Sequence, residues 1–177
     1  MDTRYTIVPA RVRDVPLLAP IELAAAALLR EHAPPSVLNE ITSESELLEA
    51  LQGGRLWVAR ADDTVVGFAL VDMLADDLPH LEEVDVHPSH GRRGVGTALV
   101  QTVCEWLSRS GYAEMTLTTF RSVAWNMPFY ARLGFEEVAA AELRPEVAAV
   151  VADETARGLE PASRVVMRYR VGTRRRS

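Results

Sequence analysis

The stretch His87 to Thr97, reading HPSHGRRGVGT, has the residue types and spacing to hold a phosphate. A glycine-rich turn that runs into a helix aims several unpaired amide N–H groups and the positive end of the helix dipole at one point. That arrangement binds phosphate. Gly94 and Gly96 also lack the Cβ that would keep a bulky anion away from the backbone. The turn therefore predicts a phosphorylated ligand. What the chain lacks narrows the choice. It contains no lysine, so the G-x-x-x-x-G-K-[ST] loop of nucleoside triphosphatases is absent. A dinucleotide fold places G-x-G-x-x-G after its first strand, whereas the glycines here read G-x-x-G-x-G and fall mid-chain.

Other constellations carry less. His87 and His90 have Pro88 between them in a turn, with no cysteine or third histidine near, so no metal site is expected. There is no G-x-S-x-G elbow to support serine nucleophile chemistry. Carboxylates are plentiful: Asp72, Asp76, Asp77, Glu82, Glu83 and Asp85 form an acidic surround that would suit a cationic amine. Strand alternation puts His80, Glu82, Val84 and Val86 on one face, and Leu81, Glu83, Asp85 and His87 on the other.

The elements that must position these residues follow from periodicity and punctuation. Tyr5 to Pro9 reads as a first strand, and Val15 to Arg30, rich in Ala and Leu, as a helix that stops before Pro34-Pro35. Ser43 with Glu46 is a capping box opening a short helix to Leu51, ended by Gly53-Gly54. Arg55 to Arg60 and Val65 to Leu74 alternate as a hairpin. His80 to Val86 is the strand that feeds the glycine turn. Val95, Leu99, Val103 and Trp106 then recur at helical spacing in a helix from Gly94 to Arg109. Met115 to Thr119 is another strand. Asn126 is expected to cap a short helix, with Pro128 in its first turn and Gly134 at its C-terminal end. Phe135 to Val138 begins a strand, Leu143 to Gly158 reads as a helix, and Arg164 to Val171 closes as the last strand. This alternation predicts a mixed α/β fold.

A second segment joins the glycine turn. Residues Thr116 to Phe135 read TLTTFRSVAWNMPFYARLGF, and their F-Y-x-x-L-G-F element begins at Phe129, 35 residues after Gly94. Together the two segments resemble the GNAT superfamily of acyl-CoA-dependent N-acyltransferases, across about residues 64 to 138. The family's glycine turn, [Q/R]-x-x-G-x-[G/A], grips the pyrophosphate of coenzyme A. Arg93-Gly94-Val95-Gly96 matches its second half, while Gly91 stands where Gln or Arg is usual and Arg92 where many members have Gly. The departure is mild, because the grip comes from backbone amides rather than the first side chain. The resemblance implies an α/β fold with a mixed, mostly antiparallel sheet flanked by helices and splayed between the strands around 80-86 and 115-119. It implies one N-acyltransferase domain over 1-172, followed by a basic tail at 173-177.

The resemblance also assigns roles. Acetyl-CoA is the implied cosubstrate, acetyl being the commonest acyl group in the family, and a primary amine attacks the thioester directly. The acceptor is a small molecule or peptide, lined in such proteins by the first two helices and by the loop here reading Glu31 to Pro35. In relatives the base often lies on the strand before the glycine turn, which favours Glu82 with His80 as partner or competitor. Tyr130 falls where the family has a tyrosine near the coenzyme sulfur, and a phenol can protonate a departing thiolate. The stretch Val84, Asp85 and Val86 runs along the pantetheine arm, with backbone groups of Val84 and Val86 pairing to it. The amides of Arg92, Arg93, Gly94, Val95, Gly96 and Thr97 hold the pyrophosphate. Arg92 and Arg93 add charge for the 3′-phosphate, and Asn126 reaches the arm. A coenzyme-binding sensor or scaffold without turnover is the alternative reading.

Composition bounds these expectations. A chain of 177 residues, 48% hydrophobic and 25% charged, suits a single globular domain. A net charge of −6 argues against general nucleic-acid binding. No apolar run approaches the ~20 residues a membrane helix needs, and the start MDTRYTI has no signal-peptide pattern. The single cysteine, Cys104, allows no internal disulfide and reads as core packing. A cytoplasmic location is expected, and a homodimer is left open.

Overall fold

The structure is a computed structural model that describes residues 4–172; the expected basic tail at 173–177 lies outside them. Its strands are β1 (Tyr5–Pro9), β2 (Leu56–Ala61), β3 (Thr64–Ala75), β4 (Leu78–Val86), β5 (Glu114–Phe120), β6 (Glu136–Glu137) and β7 (Arg164–Arg170). Its helices are α1 (Leu18–Ala26), α2 (Pro35–Leu38), α3 (Glu44–Gln52), α4 (Val95–Arg109), α5 (Met127–Arg132) and α6 (Pro145–Ala156). The strands form one sheet in the order β1-β2-β3-β4-β5-β7-β6. Pairing is antiparallel for β1 with β2, β2 with β3, β5 with β7 and β6 with β7, and parallel for β4 with β5. The fold expected from the sequence is the fold found: an open, mostly antiparallel sheet with flanking helices.

Contacts group the chain into two compact units, Met1–Asp72 with Glu82–Val103, and Met73–Leu81 with Cys104–Ser177. In the first, α1 and α3 pack on β2 and β3. Leu18, Ile21, Leu47, Leu56, Val58 and Phe68 form its core. Ser43 caps α3 as its sequence predicts, accepting from the Glu46 amide at 3.3 Å while its own amide donates to Glu46 Oε2 at 2.9 Å. The helix expected over Val15 to Arg30 is broken up. Only Leu18–Ala26 is α-helical, between tighter turns at Val12–Leu17 and Ala27–Leu29. Pro16 and Pro20 have no N–H to give to the carbonyls of Val12 and Pro16, so the chain winds as a tight turn through Leu17 and the α-helix begins only at Leu18, with Pro20 tolerated in its first turn.

Gly67, mid-strand in β3, has a function that only glycine can perform. A Cβ there would lie 2.6 Å from the carbonyl oxygen of Asp85 and 3.3 Å from Val86 Cα. The missing side chain lets β3 press against the end of β4, and His87 N then donates to Val66 O at 2.8 Å. This approach delivers the chain to the glycine turn.

In the second unit, β5 and β7 pair along their full length, from Glu114 opposite Arg170 to Phe120 opposite Arg164. Leu78, Val138, Val147 and Val166 form a core under α6. Glu154 of α6 is buried, and Arg164 compensates its charge with bonds of 3.1 Å from Nε and 2.7 Å from Nη2, joined by the Thr118 hydroxyl. Among the described residues no helix is long and apolar enough to cross a membrane.

Candidate active site

The glycine turn leaves β4 through a short tight turn, Pro88–His90, whose first amides are served by the His87 ring at Ser89 N, 3.3 Å. Arg92 then takes φ +56° and Gly94 φ +80°. Two left-handed residues so close together turn successive N–H groups toward one side. At Gly94 an added Cβ would meet nothing within 4 Å, so the space beside this backbone is open. Helix α4 starts immediately, with Ala98 N bonded to Gly94 O at 3.0 Å. Val95 is buried at 2% exposure and anchors the helix in the core, while Arg92, Arg93 and Gly94 are exposed. Amides in the first turn of α4 have no carbonyl of their own helix to meet. An open backbone cradle at a fixed helix end fits a pyrophosphate group.

Beside the turn, β4 carries the carboxylates. Glu82 is exposed, whereas Glu83 and Asp85 are half-buried on the alternate face. The helix residue facing them is Glu22 of α1, only 7% exposed and held by Thr42, whose amide donates at 3.0 Å and hydroxyl at 3.0 Å. Desolvation is the first cause that raises Asp85, and the charge of Glu22 adds to it, pushing its carboxyl up to about 7. Glu83 is pushed well above the ordinary carboxylate range by burial, then by Asp85, Glu22 and Glu82. Glu22 itself is raised by burial, against the lowering pull of its Thr42 bonds. Like charges crowded into a half-dry site raise one another's hold on protons.

The second unit holds the remaining expected residues. His80 is buried, at 1% exposure, with Nδ1 2.8 Å from the Thr116 hydroxyl. It stands opposite Thr116 at the position where β4 and β5 pair in register. That setting is one of strand attachment, and the imidazole is not presented at a surface. Asn126 occupies the N-cap position of α5 but makes no side-chain cap. The second helical residue is Pro128, which has no N–H for the side chain to accept. Its amide nitrogen instead donates to Thr119 Oγ1 at 2.8 Å, and its Oδ1 is buried with no protein partner. A buried orphan acceptor of this kind fits a ligand amide N–H, as a pantetheine arm would supply.

Tyr130 lies in α5, half-buried, with its ring edge-on to Phe129 at 5.0 Å and to Phe135 at 5.5 Å. Gly134 closes the helix at φ +96°, as expected of a C-terminal glycine. These rings fix the phenol through apolar edges and leave the oxygen as its polar end. Of the acidic surround read from the sequence, Asp77 has another use: Arg144 grips it with two bonds of 2.9 and 3.0 Å. Burial pushes the Cys104 thiol up to about 12, consistent with an inert packing residue. Among the described residues no group of His, Cys, Asp or Glu is arranged to hold a metal ion.

Sequence reading did not find Glu22, Thr42 or the pairing of Glu83 with Asp85. Alternation did place Glu83 and Asp85 on one face, but a facing charge on a helix about sixty residues away leaves no local signal.

Comparison with known proteins fits this geometry. Human N-acetyltransferase 8 is 28% identical over 114 residues, and human N-acetyltransferase 8B is 34% identical over 92. The aligned parts cover 60% and 48% of this chain but 49% and 40% of those proteins, so the chain spans about half the length of these relatives or less. The PaiA N-acetyltransferase of Thermoplasma acidophilum, solved in complex with coenzyme A, superposes with a TM-score of 0.72 at 17% identity, covering 94% of this chain and 99% of that one. Residues 25–135, which include the glycine turn, Tyr130 and the Phe129–Phe135 element, match the acetyltransferase (GNAT) family model. The chain belongs to the acetyltransferase (GNAT) family.

Proposed function

We propose that this protein is an acetyl-CoA-dependent N-acetyltransferase acting on a primary amine of a small molecule or peptide. The left-handed turn at Arg92 and Gly94, leading straight into the first turn of α4 in a member of this family, is the observation that carries the reading. The amides of Arg92 to Thr97 hold the coenzyme's pyrophosphate, and Asn126 Oδ1 accepts from its pantetheine arm. Backbone groups of Val84 and Val86 run beside that arm. An enzyme-dependent gain of one acetyl group by a diamine, read by mass spectrometry with acetyl-CoA present, tests the activity.

The acceptor arrives as an ammonium ion with a pKa near 10.4, the value of a lysine side chain. It must lose a proton before its lone pair can form the C–N bond. A carboxylate that titrates near neutrality is matched to that task. Asp85 meets this condition, with Glu83 raised beside it, and the charge of Glu22 adds to both. As the C–N bond forms, the C–S bond breaks with its electron pair on sulfur, the Tyr130 hydroxyl donates the proton that neutralises it, and the nitrogen releases its second proton, which restores the phenol through solvent. His80, bonded to Thr116 where β4 pairs with β5, is the alternative partner for the proton.

The same carboxylates give activity and stability opposite pH slopes. A base works when deprotonated, so the rate rises with pH through about 7. Folding behaves the other way. The folded-state value of Asp85 lies above its ordinary 3.8, so its contribution to stability is complete below about pH 4 and is lost as pH climbs to about 7. Asp85→Asn mimics the protonated side chain. Its melting temperature should exceed that of the parent by a margin that widens from pH 5 to pH 8. Its rate should be low with the inflection near 7 gone, while Glu82→Gln keeps that inflection. If Glu82→Gln abolishes it instead, the base is Glu82.

A further inference from the structure

Tyr5 opens the first strand, far in sequence from the glycine turn, yet its side chain ends on that turn. Its hydroxyl lies 3.1 Å from His90 Nδ1, across 85 residues of sequence. Arg93 Nη1 donates to the same oxygen at 3.4 Å. The phenol ring also meets the His90 imidazole edge-on, with centroids 5.9 Å apart at 89°. A phenol can both donate and accept, so the one hydroxyl serves the guanidinium and the imidazole together. The two residues it engages bracket Arg92, which sits at φ +56° without being glycine. A left-handed residue of this type is strained and persists where its surroundings hold it. Pairing of Tyr5 with Ala61 fixes the phenol from the other side.

We propose that Tyr5 is a positioning residue for coenzyme binding, holding the turn at His90 and Arg93 in the shape that presents the amides of residues 92–97 to the pyrophosphate. The inference rests on the acetyl-CoA reading above. A turn already held in its bound shape loses less freedom when the anion arrives, and that saving appears as affinity. The 3.4 Å bond from Arg93 is long and its acceptor neutral, so the guanidinium can leave it for a phosphate oxygen while His90 keeps its bond.

Tyr5→Phe removes only the oxygen. The affinity for coenzyme A, measured calorimetrically, should fall by about five- to twentyfold, the scale of one hydrogen bond. KM for acetyl-CoA should rise by the same factor, with kcat within about twofold and the melting temperature lower by a few degrees at most. Dephospho-coenzyme A, which lacks the 3′-phosphate, should lose affinity to the same degree, because the turn grips the pyrophosphate. An unchanged affinity in the folded variant, with the parent binding normally, overturns this role for Tyr5 alone. A lowered melting temperature with unchanged KM also overturns it, as the mark of a purely structural tyrosine. A parent that binds neither form of coenzyme A overturns the acetyl-CoA reading and this inference together.

Discussion

Tyr130→Phe is expected to slow acetyl transfer by a factor of about 10² to 10⁴, the usual contribution of a positioned general acid. The ring contacts with Phe129 and Phe135 survive the change, so the aromatic support of α5 stays in place. A half-buried hydroxyl contributes about 1 kcal/mol to stability, which shifts the melting temperature by a few degrees at most. Coenzyme affinity should stay within a few-fold, since the phosphate grip lies on the glycine turn. Turnover and melting temperature measured on one preparation decide the matter. A tyrosine that serves only packing predicts lost stability with near-normal turnover of the folded fraction.

Gly94→Val should lose coenzyme A binding by about a hundredfold or more, which corresponds to close to 3 kcal/mol. The sequence suggested that a side chain here would fill the phosphate site. The structure adds a second cause. Nothing of the protein lies within 4 Å of the added Cβ, so no clash within the fold is expected. The backbone sits at φ +80°, however, a region that a β-branched residue avoids. Valine therefore both crowds the cradle and drives the turn into another conformation, scattering the amides. Calorimetry with coenzyme A on the folded variant checks this, and an affinity equal to that of the parent would remove the phosphate role from the turn.

Local signals explain what was legible before any coordinates. The Ser43–Glu46 capping box, the left-handed Gly134 and the turn before α4 each depend on a few neighbouring residues, and all stand as expected. The long first helix failed because composition favoured it, while Pro16 and Pro20 remove the donors that would carry an α-helix through Val12 to Leu17. Asn126 shows a subtler limit. Its cap position was readable, but the missing N–H of Pro128 and the reach to Thr119 set what its side chain does. Residues whose meaning comes from distant partners were the hardest to read. The burial of His80 and its bond to Thr116 could not be read until β5 is placed beside β4. Glu83 and Asp85 read only as part of an acidic surround until Glu22 faces them. Tyr5 looks like an edge residue until His90 arrives.

Thiol release from acetyl-CoA, followed across a panel of primary amines that includes diamines, amino acids and short peptides, tests the central claim most directly. The account predicts amine-dependent release for at least one cationic acceptor, rising with pH through about 7 and largely lost in Tyr130→Phe. Tight coenzyme A binding with release no faster than hydrolysis for every amine in the panel would contradict it and leave a coenzyme-binding domain without turnover.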